Sequence, residues 1–128
     1  MITLGEARYA VPQAHITSRS RKPHQFVRIK RPESRFELIY DSRTAGRSDH
    51  RGWPMIFSLN DERAPNVYRY SNADLMVVCR QAVNPVGGCG LKVTHRGAEW
   101  TVLFPSDHLG AAAIIRGRAV EALASYEI

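Results

Sequence analysis

Residues 90–126 read GLKVTHRGAEWTVLFPSDHLGAAAIIRGRAVEALASY, and this stretch decides the fold. Arg96-Gly97 stands between two alternating runs, the setting of a two-residue type I′ turn. That turn fixes a register. His95 then faces Ala98, Thr94 faces Glu99, Val93 faces Trp100, Lys92 faces Thr101 and Leu91 faces Val102. Leu91, Val93, Trp100, Val102 and Phe104 fall on one face, and Lys92, Thr94, Glu99 and Thr101 on the other. A slip of one residue would mix the two sets. Leu103 interrupts the polar face, so the far end of the second strand is expected to be covered on both sides.

Pro105 ends the second strand, and Ser106 has the chemistry of a helix N-cap. Asp107 in the first turn suits the helix dipole. At about 100° per residue, Leu109, Ala112, Ala113, Ile115, Ala119, Val120, Ala122, Leu123 and Tyr126 share one side, with Ile114 outside it. Arg116 falls near the middle of that apolar side, where its stem can lie on apolar surface with its head in water; the alternative is a buried pair with a carboxylate or an anion site in a cleft.

Working outward, 25–41 shows a second pair of alternating runs. Phe26, Arg28 and Lys30 alternate with Val27 and Ile29, and Phe36, Leu38 and Tyr40 with Arg35, Glu37 and Ile39. Arg31-Pro32-Glu33-Ser34 between them has turn composition. This is a hairpin with one apolar and one charged face. Ala7 to Val11 reads as a short strand, Trp53 to Leu59 and Val67 to Tyr70 as two more. Residues 41–52 read as a long loop. Asn72 to Val83 reads as a second helix, capped by Asn72 with Asp74 in its first turn, although Leu75 to Cys79 has the composition of a buried strand. Val86 to Gly90, VGGCG, reads as a turn, because it lacks the Lys-Ser/Thr of a P-loop and leads into a strand. The expectation is one α+β domain over 1–128. It has an antiparallel sheet of about five strands, a C-terminal helix on one face, a basic half at 15–51 and a hairpin-helix half at 90–126.

The net charge is +6 over 128 residues. The segment 15–51 holds the whole excess, with ten basic residues against Glu33, Glu37, Asp41 and Asp49. The ten are Arg19, Arg21, Lys22, Arg28, Lys30, Arg31, Arg35, Arg43, Arg47 and Arg51. Such asymmetry points to a polyanionic partner, and aromatic residues interleaved with it (Phe26, Phe36, Tyr40, Trp53) could stack on unpaired bases. The expected role is binding, to nucleic acid or a nucleoprotein complex through these ten residues. One alternative is a protein-binding regulator or inhibitor of a larger nucleic-acid machine. Another is a small metal-independent nuclease, with His50, Asp49 and Arg51 as candidate catalytic groups and His15, His24 and His108 as further acid/base candidates.

No long apolar run marks a transmembrane helix, and the N-terminal sequence lacks the pattern of a signal peptide. The expected location is cytoplasmic, with no membrane partner. In such a compartment Cys79 and Cys89 read as a packed thiol and a loop thiol. Cys79, Cys89, His95 and His108 lack the short spacing of a zinc site, so neither a metal nor a cofactor is expected.

Overall fold

The computed structural model describes residues 1–43, 67–72, 75–80 and 88–128. The central hairpin forms in the register read from the sequence. Strands β8 (Gly88–His95) and β9 (Ala98–Pro105) pair antiparallel, with Val93 opposite Trp100 and His95 opposite Ala98. Arg96 and Gly97 have φ of 51° and 80°, the two left-handed positions that a type I′ turn demands. Leu91, Val93, Trp100, Val102 and Phe104 are all buried on one face.

Around this hairpin the sheet is wider than expected. Strands β3 (Ile16–Ser20), β4 (Phe26–Ile29), β5 (Glu37–Asp41), β6 (Val67–Asn72) and β7 (Leu75–Arg80) join it. The order is β3-β4-β5-β9-β8-β7-β6, seven strands with every neighbour antiparallel. Two meanders, β3–β5 and β6–β9, therefore meet where Leu38 faces Val102. The predicted β4–β5 hairpin is present, with Val27 opposite Tyr40 and Ile29 opposite Leu38. A separate ribbon of β1 (Ile2–Leu4) and β2 (Ala7–Tyr9) turns at Gly5, φ 62°, and buries Ile2, Leu4, Ala7 and Tyr9 in the same core.

Of the predicted helix over 72–83, the described residues, Asn72 and Leu75–Arg80, are strand. Asn72 faces Leu75 across the β6–β7 pair, and Val77 to Cys79 continue into pairing with β8. Val77 and Cys79 join the main core, while Val78 is fully buried on the opposite face. A continuous apolar run buried on both faces has no alternation to distinguish it from a helix. Gly88 to Gly90, read as part of a turn, belong to β8. The reading of 53–59 as strand, and most of the loop over 41–52, fall outside the described residues.

The C-terminal helix begins later than its cap suggested. Ser106–Ala111 form a 3₁₀ turn with no side-chain cap, and α1 runs over Ala112–Tyr126. Short 3₁₀ segments of this kind commonly precede an α-helix. Ala112, Ile115, Ala119, Ala122, Leu123 and Tyr126 are buried, a narrower stripe than predicted, because Ala113 and Val120 face outward. Ile114 is exposed, as its phase required. The helix packs against β8 on the face that carries Trp100. Its C-terminal end is tied to the β1–β2 ribbon: Ala10 N–H donates to the Tyr126 carbonyl at 2.7 Å, and Ile128 N–H to the Arg8 carbonyl at 3.1 Å.

Candidate anion-binding cleft

The alternation of β4 and β5 sends Arg28 and Glu37 to the face of the sheet away from α1, where they form an ion pair. On the same face Lys92 Nζ meets Glu99 Oε1 at 3.0 Å. Asp41, at the end of β5, is buried and accepts hydrogen bonds from the Arg43 backbone N–H at 3.0 Å and guanidinium at 2.9 Å. His24 Nε2 lies 3.9 Å from the same carboxylate. Burial alone pushes the Asp41 carboxyl up, but the Arg43 side-chain and backbone hydrogen bonds, the Arg43 charge and His24 together hold it below the ordinary Asp value. Arg28 and Arg43, two of the predicted nucleic-acid contacts, are thus each held by a carboxylate. Ile39, Val78 and Thr101 are buried on this second face as well, so it is not the uniformly charged surface the alternation implied. Leu103 is half-buried there, in keeping with a strand end covered on both sides.

The other predicted contacts fall at the two ends of the β3–β4 pair. Arg21 and Lys22 follow β3 and are exposed. Arg19, on edge strand β3, donates to the Met1 carbonyl at 3.0 Å. At the opposite end Lys30 Nζ donates to the carbonyls of Arg31 and Ser34, closing the β4–β5 turn. Among the described residues, Arg19, Arg21, Lys22, Lys30 and Arg35 have no carboxylate partner.

The β4–β5 turn lies alongside α1 and the 3₁₀ turn before it, and a cleft of about 650 Å³ opens between them. Arg31, Ser34 and Arg35 line it from the turn; His108, Ile114, Ile115 and Arg118 line it from the helical side; Glu33 and Glu121 stand among them. Arg31 Nε pairs with Glu33 at 2.9 Å, and its guanidinium lies 6.0 Å from the centre of the Tyr126 ring. Arg35 Nη1 lies 3.2 Å from His108 Nε2, and the same ring nitrogen is 3.8 Å from Asp107 Oδ1. Beneath this site the Tyr126 hydroxyl bonds His15 Nδ1 at 2.8 Å, and burial pushes its ionisation above the ordinary value. The cleft thus sets guanidinium groups against an apolar wall.

His108 and Arg118 were not among the predicted binding residues. The residues outside 15–51 are electrically balanced, so the charge count held no signal for them; only the cleft they line together with the β4–β5 turn brings them near Arg31 and Arg35. His15 is occupied with Tyr126 and His24 with Asp41. Arg47, Asp49, His50 and Arg51 lie outside the described residues. Elsewhere, Tyr9, His95, Glu127 and Arg96 form a chain of contacts of 2.9, 3.4 and 2.6 Å that fastens the C-terminus to the β8–β9 turn. No group of three or more His, Cys, Asp or Glu side chains is placed to hold a metal among the described residues.

The two cysteines are not separate thiols. Cys79 and Cys89 stand directly opposite on β7 and β8 and form a disulfide, with Cα atoms 4.0 Å apart. Reading 72–83 as helix removed the register that brings them together. No helix among the described residues is long and apolar enough to cross a membrane. Comparison with protein-family models, with curated proteins and with solved structures finds no match.

Proposed function

We propose that this protein binds nucleic acid, or a nucleoprotein complex, through its basic N-terminal half. The observation that supports this reading is the set of cations without a carboxylate partner among the described residues: Arg19, Arg21, Lys22, Lys30 and Arg35. Cations free of internal anions release counterions when they meet a phosphate backbone, and that release drives sequence-independent affinity. Arg28 and Arg43 are set apart from this group, because each would first have to give up a carboxylate. The Cys79–Cys89 pair links the fold to its surroundings: the bond persists in an oxidising compartment, whereas a reducing cytoplasm would hold two facing thiols there.

Fluorescence anisotropy with labelled oligonucleotides tests the proposal. Affinity should fall as salt rises, with a logarithmic slope of about −0.7 to −0.9 per phosphate neutralised. Absence of binding at low salt rejects the reading, and recovery of a protein complex in its place would make the chain a regulator of that complex.

A further inference from the structure

We infer that the cleft between the β4–β5 turn and α1 is a subsite for one unpaired nucleotide, giving the protein a preference for single-stranded nucleic acid. This inference rests on the nucleic-acid reading above and adds residues from outside the basic half. Arg31, Arg35 and Arg118 line the cleft together with Glu33 and Glu121, leaving one uncompensated positive charge. That matches the single charge of a phosphodiester. Arg31 is already committed to Glu33, so Arg35 and Arg118 are the groups that meet the phosphate. The planar fork of Arg suits phosphate oxygens and can also lie flat on a base.

The apolar part of the cleft selects the strand type. Ile114 is 61% exposed, on the outside of the helix, and lines the same cleft as Arg118. A volume of about 650 Å³ lies within the range of small-ligand pockets, roughly 300–1,000 Å³. A splayed nucleotide can put its base against Ile114 and its phosphate on the guanidinium groups. In a duplex the base faces are stacked on one another and cannot reach that wall.

The test compares a labelled decathymidylate with a duplex of equal length at fixed low salt. Wild-type protein should bind the single strand more tightly. Arg118→Ala and Ile114→Ser, both at exposed positions, should each weaken single-strand binding several-fold and leave duplex binding unchanged. Arg118→Ala should also reduce the magnitude of the salt slope by about 0.7, one phosphate. Glu121→Gln should tighten single-strand binding, a gain that a purely structural role for this residue would not produce. Wild-type affinity for both substrates with Arg118→Ala and Ile114→Ser, while Arg21→Ala and Lys22→Ala weaken both, overturns the cleft assignment and leaves the nucleic-acid reading intact. Wild-type protein that binds neither substrate defeats both. Equal affinity for the two strand types, with displacement by polyglutamate sensitive to Arg118→Ala, reassigns the cleft to an acidic protein segment and overturns the inference.

Discussion

The second face of the sheet and the cleft beside α1 carry the same residue types to different effect. On the sheet, Arg28 meets Glu37, Lys92 meets Glu99, and Arg43 meets the buried Asp41. In the cleft, Arg31 meets its turn neighbour Glu33, but Arg35 meets a histidine nitrogen, and Arg118 has no carboxylate partner among the described residues. The difference arises from strand register. Pairing β4 with β5 and β8 with β9 places Arg28 near Glu37 and Lys92 near Glu99 on the same face, whereas a turn packed beside a helix imposes no such pairing on Arg35 and Arg118. A count of ten basic residues therefore overstates the field of the N-terminal half, and it misses the cation that α1 supplies.

The comparison presumes a sheet with one firm apolar face, and the largest effect tests that. Trp100 is fully buried between the Tyr9 and Tyr40 rings, with ring centres 5.5 and 5.8 Å away. Trp100→Ala should cost about 3–5 kcal/mol in denaturant unfolding. A loss below about 1 kcal/mol would show that the helix-side face is not the core and would dissolve the contrast between faces.

Asp41 gives the next largest effect. Removing its charge takes away hydrogen bonds to a charged partner, so Asp41→Asn should cost about 1.5–3 kcal/mol. Its folded-state carboxyl titrates below the ordinary value near 3.8. The stability it contributes is therefore present above the unfolded-state pKa and is lost as pH falls through the lower, folded-state value. Acid titration of wild type should show this loss, and Asp41→Asn should flatten it. An unchanged acid limb would mean that the Asp41–Arg43 pair contributes no stability.

The partly exposed pairs should matter least. Arg28→Ala and Lys92→Ala should each cost about 1 kcal/mol or less, and neither should alter oligonucleotide affinity. A several-fold drop in affinity for Arg28→Ala would break the distinction between held and available cations.

The central hairpin was legible because three signals agreed. A two-residue turn fixed the register, and the register sorted Val93 and Trp100 from Lys92 and Thr101. Even there Thr101 is buried, since the hairpin pattern alone does not report that β5 pairs along β9 and sets Ile39 beside it. Strand β7 was not legible, because a run buried on both faces lacks the period that separates strand from helix. That error hid the Cys79–Cys89 bond, which depends on strand pairing. Strand β1 was too short to register as a pattern. Of the cleft, Arg31 and Arg35 were visible as part of the charge excess. Arg118 and His108 were not, because their proximity to the turn is a property of the fold.

The most direct test is the salt dependence of oligonucleotide binding in two double variants. Arg21→Ala/Lys22→Ala removes two exposed cations, and Arg28→Ala/Lys92→Ala removes two that are held by carboxylates. The first should weaken binding and lower the magnitude of the logarithmic slope by up to about 1.4–1.8, two phosphates' worth. The second should leave both affinity and slope at the wild-type values. Equal losses in the two variants would contradict the account, because internal pairing would then have no bearing on which cations meet the partner.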